Sequence, residues 1–259
     1  MRSRPILSGI LLLVFAGAPI AQAPRAIAFD HVHLGVPDPQ SAYDWYLQYL
    51  DGRPAEFATR VAFQAWPAQP PLPVQILFNR TPDAPPSDGG SISRLGFSYD
   101  DVEAKARGLR AAGVAFVEPR VFKDPWGTTI ELVQDPQLRG FHHVVLSVPD
   151  VDMTLKWYAS AFGGDRVKLP GQLDALRYGN VYLAAVKGQG APSRGRAIDH
   201  ISWGPTDINQ TVADVTARGG KVTAAVAGPN MFGHHTAFVE ESNGVAIELV
   251  QHNEFLKKP

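Results

Sequence analysis

The sequence predicts an α+β fold with two tandem domains, each made of two strand-helix-strand units. The main evidence is an internal repeat, because residues 29–38 read FDHVHLGVPD and residues 141–150 read FHHVVLSVPD. The register then holds without a gap from Trp45-Tyr46 to its counterpart Trp157-Tyr158. A chain of 259 residues is also long enough for two domains with separate cores. We therefore predict domains over residues 27–136 and 139–254.

The elements of the first copy follow from periodicity and turn residues. Residues 29–36 alternate between apolar and polar or small side chains, as a strand does. A helix over Ala42–Leu50 is expected, capped by Asp38 or Ser41 and stopped by Gly52. The other elements predicted in this copy are strands at 74–79, 92–99, 114–118 and 128–133 and a helix at 101–112.

The second copy repeats this scheme. Its helices are predicted over 152–162 and 207–218. Its further strands are predicted near 175–186, 198–203, 221–226, 236–240 and 245–251. The chain thus contains four units of one plan, two in each predicted domain.

The first residues are typical of a targeting segment. Arg2 and Arg4 precede an apolar run over 6–20 that ends in the small-residue triplet Ala21-Gln22-Ala23. We predict a signal peptide over residues 1–23 and a periplasmic or secreted protein. A retained membrane anchor is the alternative, although a spanning helix needs about 20 apolar residues and this run is shorter.

Composition narrows the partners. The chain has 24 basic and 25 acidic residues, a net charge of -1, and no basic block interleaved with aromatic residues, so nucleic acid is not an expected partner. It contains no cysteine, which excludes disulfides, thiolate metal ligands and a cysteine nucleophile. We expect a small-molecule substrate and no stable membrane insertion after signal removal, and leave open whether the protein forms a homo-oligomer.

Two motifs give the chain a family resemblance. Each copy opens with H-x-x-L-x-V-x-D, and each ends in a strand reading E-L-V-Q, at 131–134 and 248–251. In these motifs the chain resembles the vicinal oxygen chelate superfamily, which includes glyoxalase I, bleomycin-resistance proteins and extradiol dioxygenases. The resemblance implies two glyoxalase-like domains, each a pair of βαβββ units forming a half-open barrel. It also implies one metal ion, bound by side chains from the first and last strands of the units.

Carried onto this sequence, the resemblance favours a metal site in the C-terminal domain. His143 and His200 each stand seven residues before a helix-capping aspartate, and Glu248 lies in the closing strand. Two imidazoles and one carboxylate form the facial set of non-haem iron oxygenases. We therefore expect one divalent ion, with Fe(II) or Mn(II) favoured, although Zn(II) and Ni(II) suit the same ligands.

The N-terminal domain is predicted to have a degenerate site. It retains His31 and Glu131, but Arg94 stands where the other domain has His200, and a guanidinium cannot bind a metal. We expect an ion pair between Arg94 and Glu131. A distorted metal site formed by His31, His33 and Glu131 is the alternative.

Other residues are candidates for substrate chemistry. His234 and His235 lie in a Gly- and Pro-rich loop beside the closing strands, where an imidazole could act as an acid or base. His234 is favoured because it shares strand parity with Phe238. Tyr178 and Tyr182 are predicted to contact the substrate.

These observations favour an exported dioxygenase-like oxidoreductase acting on a small substrate with vicinal oxygens. Two departures from the family patterns keep other functions open. Phe238 replaces the tyrosine of extradiol dioxygenases, and Ala184 stands where glyoxalase I has a glutamate. The alternatives are a redox-neutral glyoxalase, isomerase or lyase, and a non-catalytic binding protein of the resistance type.

Overall fold

The computed structural model describes residues 27–54, 60–63, 74–179 and 181–252. The predicted signal segment, residues 1–23, lies outside the described residues. No helix within these ranges has the length and apolar character needed to cross a membrane.

The four predicted units are present in the described residues. Unit one contains β1 (Ala28–Val36), α1 (Pro39–Leu50), β2 (Arg53–Pro54), β3 (Arg60–Phe63) and β4 (Val74–Arg80). Unit two contains β5 (Ile92–Ser98), α2 (Val102–Ala111), β6 (Phe116–Glu118), β7 (Val121–Lys123) and β8 (Thr129–Val133).

Unit three contains β9 (Gly140–Val148), α3 (Val151–Phe162), β10 (Asp165–Leu169), β11 (Leu173–Arg177) and β12 (Tyr182–Lys187). Unit four contains β13 (Ile198–Gly204), α4 (Ile208–Ala217), β14 (Lys221–Ala227), β15 (His235–Glu240) and β16 (Ala246–Gln251). The run predicted near 175–186 is two strands, because the chain turns back at Gly179, which has a φ of 68°.

Each of the four helices begins after an aspartate that caps it. The carboxylates of Asp38, Asp101, Asp150 and Asp207 accept hydrogen bonds from backbone N–H groups of the first turn. Ser41, the alternative cap of α1, instead donates its hydroxyl to Asp38. The repeated aspartates therefore set the start of every α-helix in the described part of the chain.

The strands form two eight-stranded sheets within the described residues. Sheet A has the order β14-β15-β16-β13-β1-β4-β3-β2, and sheet B has the order β10-β11-β12-β9-β5-β8-β7-β6. Each sheet is open, as the predicted half-open barrel requires. However, sheet A joins units one and four, and sheet B joins units two and three. The expectation that consecutive units pair was wrong, so both sheets cross the predicted boundary between residues 136 and 139.

Two connections carry the chain between the sheets and lie side by side. Segment 81–91 leads from β4 to β5, and segment 188–197 leads from β12 to β13. They join through an isolated bridge between Gly90 and Ala191, and the Ser91 N–H donates to the Ala191 carbonyl at 2.7 Å. The Arg196 guanidinium adds hydrogen bonds to the carbonyls of Pro86 and Asp88. These contacts fix the crossed pairing of the units.

The larger of the two hydrophobic clusters in the described residues lies behind both sheets. It combines the inner faces of the helices with alternate residues of the central strands of both sheets. Phe29 and Trp203 of sheet A are in edge-to-face contact at 5.4 Å, and Phe29 also stacks near Phe141 of sheet B at 6.4 Å. The face of sheet A that is turned away from this core is therefore available for a functional site.

We predict that Gly190→Ala destabilises the protein by about 1 to 3 kcal/mol. A Cβ at Gly190 would lie 2.3 Å from the Ser91 nitrogen and 2.4 Å from the Gly90 carbonyl carbon, which are backbone atoms that cannot rotate away. Urea unfolding measures the change. Gly108→Ala is the matched control, because a Cβ there meets nothing within 4 Å and alanine favours the helix. Equal stability of the two variants would contradict the close approach of the connections.

Candidate metal site

A β-bulge in β1 turns two histidines toward the open face of sheet A. Phe29 pairs with Trp203 and Val32 with Ile201, so β1 carries one more residue than β13 between these pairs. The extra residue lets Phe29 and Val32 both enter the core while His31 faces away from it. His33, two residues further, lies on the same face as His31.

β13 contains the matching bulge. His33 pairs with His200 and Leu34 with Ile198, which leaves Asp199 as the extra residue. His200 consequently faces the same side of sheet A as the β1 histidines. Their rings are close, since those of His33 and His200 stack with centroids 4.4 Å apart.

β16 adds a carboxylate to this group. Glu248 lies beside Ser202 in the parallel pair of β13 and β16. Its Oε2 is 3.0 Å from Nε2 of His31 and 3.1 Å from Nε2 of His200. Four side chains, His31, His33, His200 and Glu248, thus offer ligand atoms that all lie within 4.8 Å of one another. Imidazole nitrogens and a carboxylate suit iron, manganese, zinc or nickel, so this donor set fits a divalent metal.

A buried aspartate orients each of two imidazoles. Asp30 Oδ1 is 2.7 Å from Nδ1 of His31, and Asp199 Oδ1 is 2.5 Å from Nδ1 of His200. Both bonds use Nδ1, which directs Nε2 toward Glu248. Carboxylates behind histidines in this way fix the tautomer and ring orientation of metal ligands.

The charges of the cluster favour ionised forms. Burial alone would lower the pKa of His31, but hydrogen bonds to Asp30 and Glu248 outweigh it and raise the pKa to about 9. Burial opposes the charged form of Glu248, yet hydrogen bonds from His200 and His31 hold its pKa well below the usual range. The same balance, with hydrogen bonds to His252 and His31, holds the pKa of Asp30 low.

Sheet B contains the degenerate copy of this cluster. Residues Arg94 and Glu131 form an ion pair with 2.9 Å between Nη1 and Oε2, as the sequence predicted. Nε2 of His143 is 3.8 Å from the same Glu131 oxygen. By the repeat register, Val145 stands where sheet A has His33. The Arg94 guanidinium therefore occupies the position of a metal donor. The charged side chains of this copy pair with one another instead of forming a metal site.

The predicted grouping of His143 with His200 and Glu248 was wrong. His143 belongs to β9 in sheet B, whereas His200 and Glu248 belong to sheet A. The histidine that lies with His200 and Glu248 is His31, the counterpart of His143 in the repeat. The alternative site of His31, His33 and Glu131 fails for the same reason, because Glu131 is in sheet B.

The predicted substrate residues do not lie at the cluster in sheet A. Tyr178 is buried, donates its hydroxyl to the Tyr158 carbonyl and packs edge-to-face on Trp203 in the core. Tyr182 pairs with His143 in sheet B, and its ring lies 4.9 Å from that of His142. Both tyrosines were assigned to the site because unit three was expected to share a barrel with unit four.

The two loop histidines differ in the direction they face. His235 begins β15 on the side of Ala237 and Val239, which are core residues, so it faces away from the cluster. His234 lies on the other side, half-buried, with its ring 4.4 Å from that of His252. The role of His234 in catalysis remains a prediction.

Sequence reasoning named His31 and His33 as donors only in the alternative site with Glu131, and it missed Asp30 and Asp199 as the supports of His31 and His200. A signal was available, because units one and four both open with the dipeptide Asp-His. Units two and three have Ser-Arg and His-His at the same positions. The two units that share this dipeptide, one and four, are the two that form sheet A.

The family is shown by direct comparison. A model of the Glyoxalase/Bleomycin resistance protein/Dioxygenase superfamily matches the chain twice, over residues 28–137 and 140–249. These segments cover most of the chain, so this protein belongs to that superfamily. The resemblance predicted from the repeated motifs is confirmed.

Two curated relatives are named as lyases. The "Probable lactoylglutathione lyase" of Vibrio parahaemolyticus is 32% identical over 125 residues, which is 43% of this chain and 90% of that protein. A lactoylglutathione lyase of Arabidopsis thaliana is 30% identical over 128 residues, which is 44% of each chain. The Vibrio protein thus corresponds to about half of this chain.

Solved structures share the fold over most of the chain. Glyoxalase I of Zea mays matches with a TM-score of 0.69 and 19% identity, over 89% of this chain and 94% of that one. The "putative dioxygenase" of Bacillus subtilis matches with a TM-score of 0.63 and 17% identity, over 88% and 86%. The predicted glyoxalase-like fold is therefore confirmed.

We predict that His31→Ala removes metal binding and that His143→Ala does not. His31 is a donor in the cluster, and losing it should weaken binding at least about 100-fold, since even groups that only support ligands are worth about 10- to 100-fold. Isothermal titration with Zn(II), with metal content after dialysis, measures the effect. His143→Ala is the matched control from the other copy. Loss of metal from that variant alone would contradict the assignment to sheet A.

We also predict that the chelator-treated protein loses stability as pH rises. Since the pKa of His31 is raised from 6.5 to about 9 in the folded state, its contribution is complete below pH 6.5 and vanishes above pH 9. The loss should be on the order of 3 kcal/mol. Urea unfolding in buffers across this range measures it. His31→Gln should flatten the profile, and an unchanged slope in that variant would contradict the prediction.

Proposed function

We propose that this protein is a metal-dependent enzyme that catalyses a redox-neutral lyase or isomerase reaction of the glyoxalase type. The observation that carries the proposal is the presence of His33 in the cluster beside His31, His200 and Glu248. The substrate class we propose is a small molecule with two adjacent oxygens.

The number of protein donors favours this chemistry over oxygen activation. Three protein donors, His31, His200 and Glu248, would leave room at a metal for both a chelating substrate and dioxygen, as in the oxygenases with two histidines and one carboxylate. A fourth donor, His33, would leave room for a chelating substrate but not for dioxygen beside it. His33 is therefore the residue on which the reaction class depends.

The metal would act as a Lewis acid that polarises a carbonyl and lowers the pKa of a neighbouring hydroxyl or carbon acid. The protein supplies an apolar surround for this step. Phe238 pairs with Glu248 across β15 and β16, and its ring lies edge-on to His200 at 5.3 Å. Leu77 occupies the closing-strand position of unit one beside His33, where it adds no second carboxylate. The cluster in sheet A therefore has one carboxylate, Glu248, and differs in this respect from a site with two carboxylate ligands.

The relatives support an enzyme of one of two classes. The two curated relatives are named as a probable and a plain lactoylglutathione lyase, and a structural neighbour is named as the "putative dioxygenase" of Bacillus subtilis. The sequence similarity is with the lyases, which favours the redox-neutral alternative over the dioxygenase first expected.

A dioxygenase is the second candidate, and the triad of His31, His200 and Glu248 favours it. These three donors are the two imidazoles and one carboxylate of the facial set. In that function His33 would stay off the metal and contact the substrate.

Two further assignments complete the proposal. His234 is our candidate for proton transfer, because it is half-buried and its ring lies edge-on to that of His252, next to the cluster. Export to the periplasm or beyond is supported by Arg2, Arg4 and the apolar run that follows them.

The two reaction classes differ in oxygen use. We expect protein loaded with Zn(II), Ni(II) or Mn(II) to isomerise hemithioacetals of 2-oxoaldehydes with one of several thiols, measured by thioester absorbance. We expect the Fe(II)-loaded protein to consume no oxygen on a panel of catechols and hydroxylated aromatics in an oxygen electrode. Stoichiometric oxygen uptake with Fe(II), and no isomerisation with any metal, would establish the dioxygenase instead.

His33→Val tests the carrying observation. Valine is the residue that the repeat has at the matching position, Val145, so the strand accommodates it. We expect this variant to keep the metal more weakly and to lose isomerisation. Val145→Ala, in sheet B, is the control and should change neither property.

A further inference from the structure

His252 lies next to the cluster although it comes from outside the strands that hold the donors. It follows β16 directly and is buried, with 8% of its surface exposed. Its Nε2 forms a short hydrogen bond with Oδ2 of Asp30. The residue therefore ties the end of the strand that carries Glu248 to the bulge of the strand that carries His31.

Asp30 is held at both carboxylate oxygens. Oδ1 is bonded to His31 and Oδ2 to His252. A carboxylate fixed at one oxygen can still rotate, but one fixed at both cannot. The second bond thus sets the direction in which His31 presents Nε2 to Glu248, at 3.0 Å.

The other supporting aspartate shows the same design with a different partner. Asp199 accepts from the Gly195 N–H at Oδ2, 2.6 Å, while Oδ1 holds His200. Arg194 is 3.6 Å from Oδ1. A backbone group thus holds the second oxygen here, and a side chain, His252, holds it at Asp30.

The degenerate copy lacks this arrangement. His142 stands in the place of Asp30, 2.7 Å from His143 between the two Nδ1 atoms, and its Nε2 is 3.2 Å from Asp135. Sheet B has therefore lost both the supporting carboxylate and the metal-type donor set. The doubly held aspartate occurs in the sheet that has the cluster.

We propose that His252 is a positioning residue that sets metal affinity by holding Asp30 against His31. This inference rests on the proposed metal site. His252 is not one of the four side chains of the cluster, and it acts through the orientation of one imidazole by way of Asp30. The residue class required at this position is a buried hydrogen-bond donor.

The test compares His252→Met, which removes the donor at similar length, with His252→Gln, which retains one. We expect His252→Met to weaken Zn(II) and Co(II) binding about 10- to 100-fold in chelator competition. We expect His252→Gln to recover most of the affinity. The Co(II) absorption bands should shift in His252→Met, because the ligand field depends on the orientation of His31. His252→Leu replaces the methionine variant if that protein does not fold.

His235→Ala is the matched control, since it removes a neighbouring half-buried histidine that faces the core. It should leave the Kd and the Co(II) spectrum unchanged. Unaltered Kd in His252→Met, with binding abolished in His31→Ala, would overturn the role of His252 and leave the site intact. Unaltered Kd in His31→Ala would overturn the site itself. Equal losses in the methionine and glutamine variants would overturn the hydrogen-bond argument.

Discussion

The antiparallel pairing of β1 with β13 is the constraint on which the site depends. Each strand has one extra residue, Asp30 or Asp199, and each bulge turns a histidine away from the core. The same extra residues supply the carboxylates that hold those histidines. One backbone irregularity, used twice, therefore gives both the donors and their orientation.

Sheet B has the same backbone plan as sheet A but lacks the metal-type donors. β5 and β9 pair with bulges at the matching positions, at Ser93 and His142. The backbone plan remains, because the bulges also place Phe141 and Ile92 in the core. The side chains facing away from the core have diverged to an ion pair and apolar residues. The packing of Phe141 and Ile92 accounts for the same strand geometry in a sheet that lacks the metal-type donors.

Much of the fold was predictable from local signals. The aspartate caps, the glycine stops and the period of apolar residues located all four helices to within a few residues. The ion pair of Arg94 with Glu131 was also predictable, because a guanidinium and a carboxylate in matched positions attract. The metal-type cluster was predicted only in part, since His200 and Glu248 were grouped with the wrong histidine.

The sequence by itself determined the number of units, their order, their family and the residue types at each position facing the open side of a sheet. Only the tertiary structure decided which units share a sheet. All four opening strands have the same alternation and offer equivalent edges, so the backbone pattern does not distinguish β1 paired with β5 from β1 paired with β13, and only the Asp-His dipeptide sets units one and four apart. That choice depends on contacts between residues far apart in the chain, above all those of segment 81–91 with segment 188–197. Because of this choice, the metal-type cluster contains His31, the counterpart of His143 in the repeat, and not His143.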